Sequence, residues 1–555
     1  MKKRKRILYL PALVTLTLTA LCVAQQAPKV IGNAIANQPV HFDISRTLSE
    51  LAMEASAPQG IRQTHAPLRT KPFLSNGAVH SHAAAANSAP TANISANVGL
   101  GFEGVNQIGD SLSCPPLSGY YYVPPDTNAA VGDTQIVQWV NVCYAVFDKS
   151  SGAVVAGPFA GTNFWKGFGG PCEANNDGDP IIQWDKANHV WVAAQNVFSG
   201  PPYYTCVAIS QTSDASGSYY RYQFPQSAGF PDYPKWGLKP NAYYQSQNLF
   251  GNTGFLGVNV CAYQATLMRQ GNPNAKQVCI ADNSNGTLFD DSMLPADDDT
   301  PSGPNDAEVY LGAIDNFLPG DTHVYEYVFS VDFGKPNNSK LAGVDGSSPI
   351  SVPAFDLALC VSGGFLTTDC VPQPTAGSDM LDTLGDRLMY RLAHFTSHGT
   401  QHYLVAHSVN NTSAVATTWY DFRAQGQGTT NLSLYQSGIT PDDGEYRWMG
   451  SVAMNKAGDI AVGYSRSSAA AGDYPSIYYS GQTAGDPLGT TEAEAVIKQG
   501  GGSQINSFDR WGDYSSMDLD GSNSCTFWYT NEFYPADGSF AWSTWVASLN
   551  FPNCH

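Results

Sequence analysis

The chain has 555 residues and a formal net charge of −19, with 14% charged, 43% hydrophobic and 12% aromatic residues. That acidity argues against nucleic acid and anionic lipid as partners, because both need Lys and Arg to displace counterions. Few charges combined with Gly 53, Pro 35 and Tyr 29 favour short strands and turns over helices.

In chain order, Met1 to Arg6 is strongly basic, Ile7 to Val23 is mostly apolar, and Ala24 precedes Gln25-Gln26. This predicts a signal peptide over 1–24 and a secreted or periplasmic protein. The apolar run is short for an anchor. No later segment has the roughly 18 apolar residues a span needs, so no membrane span is expected. If Cys22 leaves with the signal, ten cysteines remain. An even number in an exported chain implies disulfides. Cys261–Cys279, Cys360–Cys370 and Cys525–Cys554 are the expected pairs, whereas Cys114, Cys143, Cys172 and Cys206 allow three connectivities. No CxxC occurs, so a structural zinc site is not expected.

Residues 25–98 read as a low-complexity spacer or propeptide, because Ser75 to Asn97 is mostly Ala, Ser and Asn and cannot bury enough apolar surface to fold alone. Within it, Leu48, Leu51, Ala52 and Ala55 fall at helical spacing. Thr47 and Glu50 have the spacing of a capping box.

From about residue 99 the chain repeats. A charged residue opens a strand, a turn of Asp, Gly, Asn or Lys follows, and then comes a second strand rich in aromatic and β-branched residues. The openers are Asp126, Asp179, Asp232, Asp306, Asp386, Arg447 and Asp513, seven units spaced by roughly 64 residues. Single hairpins are marginal alone, whereas four-stranded blades around an axis bury one another's faces. The expectation is an all-β, seven-bladed β-propeller over 99–555, with a two-domain β-sandwich as the alternative. Only three strands follow Asp513. The fourth is expected from Leu100 to Val105, closing the ring without exposed edges.

The segments PPDTNAAVG (124–132), GDPIIQWD (178–185), DYPKWGLKPNAYY (232–244), GDRLMYRLA (385–393), RWMGS (447–451), DYPSIYYSG (473–481), RWGDYSSM (510–517) and CTFWYTNE (525–532) resemble one family of secreted bacterial proteins similar to the sialidase-like β-propellers. The resemblance covers roughly 99–554. Its motifs mark the family more than an activity. Ser516-Met517-Asp518 with Gly521 and Trp528 is a distorted Asp box with altered spacing. Sialidases clamp a substrate carboxylate with three arginines, and this resemblance implies that role for Arg387, Arg447 and Arg510.

In a propeller the first strand of each blade is innermost and starts at the ligand face, so the openers ring the channel mouth. Crowded carboxylates raise one another's pKa, which is how a general acid is made. The candidate acids, bases or nucleophiles are Asp179, Asp386, Asp513 and Glu532, with Arg387, Arg447 and Arg510 holding substrate through their planar forks. The competing reading makes these residues architecture: Asp at a strand start accepts from turn amides, and a scaffold residue recurs in every blade. No cofactor or catalytic metal is expected, although a structural calcium ion in the acidic ring would suit hard carboxylate ligands. Asp297-Asp298-Asp299 reads as a solvated loop. His394, His398, His402 and His407 crowd one hairpin without metal-ligand spacing. The pairs Tyr203-Tyr204, Tyr219-Tyr220 and Tyr243-Tyr244 and the run Tyr120 to Tyr122 offer rings to sugars, about half of them facing outward by strand alternation. No Gly-x-Ser-x-Gly, His-Glu-x-x-His or P-loop pattern is present, which disfavours a protease. The leading expectation is a secreted glycan-directed hydrolase acting at the channel mouth on an extracellular glycan or cell-surface polymer. The alternative is a non-catalytic carbohydrate- or surface-binding propeller.

Overall fold

The computed structural model describes residues 29–53, 93–107, 111–114, 121–226, 229–252, 254–281, 291–301, 307–312, 320–343, 349–425 and 431–555. The expected signal peptide lies outside them. The described chain is all-β apart from a few short helices.

Most of the strands fall into antiparallel four-stranded runs, two of which, sheets IV and V below, are joined into one larger sheet by a parallel pairing of their first strands and by Pro349–Leu357, which pairs with both. Sheet I holds Asn128–Val131, Gln135–Val140, Cys143–Asp148 and Val154–Ala160. Sheet II holds Ile181–Asp185, Val190–Val197, Tyr203–Ser210 and Tyr219–Gln226. Sheet III holds Phe230–Leu238, Tyr243–Gly251, Gly254–Tyr263 and Gln277–Ala281. Sheet IV holds Leu294–Asp298, Glu308–Gly312, Asp321–Ser330 and Lys340–Gly343. Sheet V holds Leu388–Ser397, Thr400–Asn410, Val415–Gln425 and Ser433–Ile439. Sheet VI holds Tyr446–Met454, Ile460–Ser467, Ser476–Gln482 and Ala495–Lys498. Sheet VII holds Ser516–Leu519, Phe527–Phe533, Ser543–Asn550 and Asn97–Glu103. The first strands touch in chain order, I to VII, and that of sheet VII touches that of sheet I. Apolar clusters fill the spaces between neighbouring sheets. One joins Ile182, Trp191 and Cys206 to Val137 and Trp139, and another joins Val192 and Phe224 to Trp236 and Tyr263. Each sheet is thus buried on both faces, which explains its continuous apolar runs. Sheet VII takes its fourth strand from the N-terminal side, as the sequence predicts, with Phe102 opposite Val546.

Sheet IV corrects the repeat reading. Asp306 lies outside the described residues, but the strand that follows it, Glu308–Gly312, is the second of its sheet. The first is Leu294–Asp298, LPADD. Its Pro and paired acids look like a loop because the charges are neutralised by partners far away in sequence.

Part of the segment expected to be a spacer belongs to the sheets. Lys29–Ile31 pairs with Lys340–Gly343 of sheet IV, Ala34–Asn37 with Gln277–Ala281 of sheet III, and His41–Ile44 with Tyr219–Gln226 of sheet II. This belt covers three consecutive outer edges. It ends in the helix Leu48–Met53, whose Leu48 and Leu51 join the core between sheets I and II. The capping box forms: the Thr47 amide donates to Glu50 Oε2 at 3.0 Å and the Glu50 amide to Thr47 Oγ1 at 3.2 Å. The low-complexity stretch 54–92 lies outside the described residues.

Five disulfides, Cys114–Cys143, Cys172–Cys206, Cys261–Cys279, Cys360–Cys370 and Cys525–Cys554, include the three expected pairs and settle the other four cysteines. Among the described residues no helix is long and apolar enough to cross a membrane.

Candidate functional site at the starts of the inner strands

Each first strand is entered through a residue in the left-handed region. Asp126 (φ 50°), Asp179 (φ 49°) and Asp513 (φ 59°) lie just ahead of their strands, and Tyr233 (φ 52°) and Met449 (φ 54°) lie within theirs. Asp tolerates this region better than most residues, but Tyr and Met do not. Their φ values mark a constrained entry.

These entries bring several of the predicted residues around one side chain that sequence reasoning passed over, Tyr233. Its amide donates to Asp179 Oδ2 at 3.3 Å and to Asp232 Oδ1 at 3.0 Å. Its hydroxyl donates to the Asp513 carbonyl at 3.1 Å. The Arg387 guanidinium lies 4.6 Å from its ring centroid and the Lys235 ammonium 3.4 Å from it. Lys235 is capped on another side by the Tyr514 ring at 4.1 Å, and it donates to the Pro234 carbonyl at 3.1 Å.

The electrostatics follow from crowding and burial. Burial pushes Asp179 up to about 7, helped by the Asp232 and Asp513 carboxylates and opposed by Lys235. Burial pulls Lys235 down to about 8 against the pull of Asp179, Asp513 and Asp126. Asp126 is raised well above the carboxylate range by burial and then by Asp513 and Asp179. Its Oδ2 accepts from Asn141 at 3.1 Å, while its buried Oδ1 has no hydrogen-bond partner. Of the four predicted carboxylates Asp179 alone keeps partial exposure; Asp386, Asp513 and Glu532 are buried.

Asp386 receives both Nε (2.7 Å) and Nη2 (2.9 Å) of Arg387, and both residues are buried. Asp513 receives Arg510 Nη2 at 2.5 Å. Glu532 stands behind this pair: its Oε2 accepts the Gly512 amide at 2.7 Å, its Oε1 has no hydrogen-bond partner among the described residues, and burial drives its pKa well up, helped by the Asp513 carboxylate. Arg447 turns elsewhere. It is forked onto Glu494 at 2.7 and 2.8 Å and onto Asp443 at 2.8 and 2.9 Å within sheet VI. Its partners therefore differ from those of Arg387 and Arg510.

A second buried network crosses the ring away from these entries. Lys186, just past the end of its strand, pairs with Asp518 at 2.6 Å and Asp299 at 3.0 Å. Lys239, just past its own, pairs with Asp298 at 3.2 Å, and Arg391 pairs with Asp297 at 2.7 Å and with Asp299. Asp297, Asp298 and Asp299 are therefore buried ion-pair partners, not a solvated loop. Among the histidines, His394 bonds Asp298 at 2.7 Å, His402 bonds Asp421 at 3.1 Å and His407 bonds the Tyr420 hydroxyl at 3.0 Å. Among the described residues no group of three or more His, Cys, Asp or Glu side chains is arranged to hold a metal ion. Tyr219, Tyr243 and Tyr244 are buried, Tyr122, Tyr203, Tyr204 and Tyr220 are half-buried, and among the described residues of these runs Tyr121 is the exposed ring, Tyr120 lying outside them.

The residues missed were Tyr233, Lys235 and Tyr514. The signal was DYPKW itself: a lysine inside an apolar strand of a chain poor in charge calls for partners.

No protein-family model matches the chain, and no curated protein matches its sequence. Among solved structures it is similar to the WD40 domain of SCAP from fission yeast, at 10% identity over 75% of this chain and 82% of that one, with a TM-score of 0.31. It is similar to extracellular domains 1–2 of Drosophila Semaphorin 1b, at 7% identity over 82% and 88%, with a TM-score of 0.35. It is also similar to Trypanosoma rangeli sialidase, at 10% identity over 61% and 57%, with a TM-score of 0.32. Likenesses this loose assign neither an activity nor a ligand.

Proposed function

We propose that this protein is an exported seven-bladed propeller that hydrolyses an extracellular glycan where its inner strands start. The cyclic order of first-strand contacts supports seven blades, and five disulfides support an oxidising compartment. The observation that carries the reading is Asp179: partly exposed, wedged between other carboxylates and pushed up to about 7. A carboxyl group with that pKa holds its proton near neutrality and can give it to a glycosidic oxygen as the C–O bond breaks. Asp513 is the candidate base or nucleophile, steadied by Arg510, whose side chain is 10% exposed and would meet a hydroxyl or carboxylate of the sugar through that exposed edge. Asp386 with Arg387 and Glu532 support this pair from behind.

A second reading is favoured by a different observation. Arg387, Arg447 and Arg510 already carry carboxylate partners within the protein, which suits a non-catalytic carbohydrate-binding propeller. The test is product release from a panel of glycans by wild type and Asp179→Asn. Turnover by wild type lost in Asp179→Asn supports hydrolysis, and binding by both without turnover supports the second reading.

A further inference from the structure

Two facing loops at the rim of this site hold aromatic residues in a backbone conformation that bulky side chains rarely adopt. On one loop Asn506 (φ 53°), Phe508 (φ 61°) and Asp509 (φ 60°) are left-handed, and on the other Phe540 is too (φ 56°). Each such residue is strained, and the strain persists only where surrounding bonds over-determine the conformation. Those bonds are present. The Asn506 and Ser507 amides donate to the two oxygens of Asp379 at 2.9 and 2.7 Å. The Phe540 amide donates to Ser507 Oγ at 2.8 Å, and the Ile505 amide to the Gly538 carbonyl at 2.9 Å.

The braced loops do not bury what they hold. Phe508 is 49% exposed and Tyr121 is 39% exposed, while Phe540 between them is buried. Tyr121 stacks on Phe540 at 6.0 Å and 28°, and Phe508 meets Phe540 edge-on at 5.8 Å. Tyr121 is held in turn by its neighbour: the Tyr122 carbonyl accepts Trp542 Nε1 at 2.7 Å. Hydrophobic collapse would turn these rings inward; here a rigid frame keeps two of them facing solvent.

The patch is linked to the acidic site through the backbone between Phe508 and Asp513. Arg510, two residues beyond Phe508, is the partner of Asp513, and the Asp509 carbonyl accepts the Asp382 amide at 2.8 Å, whose carboxyl lies in the field of Arg510. Two exposed rings over a third are far too small for a stable protein interface. They match a single pyranose, whose axial C–H groups pack on an aromatic face while its hydroxyls reach a polar rim.

We propose that Tyr121 and Phe508, backed by the buried Phe540, form a sugar-stacking subsite that receives a pyranose ring of the glycan, beside the residue the acidic cluster acts on. This rests on the glycan reading above, and the experiment separates the two. Binding of cellohexaose, xylohexaose and N-acetylchitohexaose is measured by calorimetry in the Asp179→Asn background, so that turnover does not intervene. For any hexasaccharide bound, Phe508→Ala and Tyr121→Ala should each lower affinity at least fivefold. Phe508→Leu should behave like Phe508→Ala, because it keeps apolar area and loses the flat face, and Phe508→Trp should keep most of the affinity. Melting temperatures, measured alongside, should stay within a degree or two of the parent. Unchanged affinity in both alanine variants overturns the subsite and leaves the glycan reading standing. Binding without any wild-type turnover removes the hydrolase reading and leaves the subsite standing. Absence of binding to all three sugars by the parent overturns the subsite as stated.

Discussion

The Lys235 ammonium lies 3.4 Å from the centre of the Tyr233 ring. This contact places a cation inside a carboxylate cluster without a direct carboxylate hydrogen bond: the hydrogen-bond acceptor is the Pro234 carbonyl. A cation over a buried ring is stabilised by about 2 kcal/mol, which helps to hold it where burial alone would expel its charge. Lys235→Met should leave Asp179 facing Asp232 and Asp513 with less compensation. Its pKa should rise by roughly one unit, and the high-pH limb of glycan hydrolysis should move up by the same amount. A pH–rate profile checks this, and an unmoved limb would mean that Asp179 is not the titrating acid.

The same shift affects stability, with a definite sign. Asp179 is raised from 3.8 to about 7 on folding, so the folded state holds the proton more tightly than the unfolded chain. The contribution is fully present below about pH 4 and is lost as pH rises through about 7. Asp179→Asn removes the titration. Its melting temperature relative to wild type should therefore climb between pH 4 and pH 7.5, by about 4 °C, and level off above. A flat difference across that window would show that the carboxyl is not raised.

The arginines should separate by measurement. Arg447→Ala breaks two forks in sheet VI. Since Asp443 is 48% exposed and Glu494 is 15% exposed at the side chain, the loss should be about 2 kcal/mol, below that of a fully buried pair. Its glycan affinity should match wild type. Arg510→Ala should instead weaken glycan binding about tenfold or more, in proportion to the charge-assisted bond lost. Denaturant melts and calorimetry on the two variants, run side by side, check both halves.

Much of the fold was legible because it rests on local pattern. Strand, turn and aromatic strand recur, and the strand shortage after Asp513 points to Leu100 to Val105 as the closing partner. The helix at Leu48 was legible for the same reason, with its cap and apolar stripe written between Thr47 and Ala55. What failed is non-local. Leu294–Asp298 hides as a loop because Asp297 and Asp298 are made burial-compatible by Arg391 and Lys239. The belt strands at Lys29, Ala34 and His41 are three or four residues long. They have no strand signature of their own and exist only against edges made more than 170 residues later. In the site, the acids at Asp179 and Asp513 could be picked from their recurrence. Tyr233, the residue that gathers them, could not, since a tyrosine beside an opener looks like core.

The thiol count offers a check on both pairing and processing. Ten cysteines are paired in five disulfides. Thiol titration of denatured, unreduced protein should therefore find none if Cys22 has been removed, and one if it is retained. Replacing Cys525 and Cys554 together by serine, which frees the C-terminal tail from sheet VII, should cost about 2–4 kcal/mol in a denaturant melt.

The belt is open to the same treatment. Leu51 is 1% exposed between sheets I and II. Leu51→Ala should therefore cost about 2–4 kcal/mol, and Thr47→Ala, which removes the cap, about 1 kcal/mol. Were residues 29–53 a detached leader, neither change would move the melt.

The closing strand sets a timetable for assembly. The Thr544 hydroxyl donates to the Val105 carbonyl across 439 positions of sequence. At about 5–20 residues per second of synthesis, the Asn97–Glu103 strand waits roughly 20 to 90 seconds for its partner. Lys29–Ile31, Ala34–Asn37 and His41–Ile44 wait as well, each for an edge farther down the chain. The Asn97–Glu103 strand therefore stays unpaired until the last strands are made, and the ring can shut only once nearly the whole chain has been synthesised.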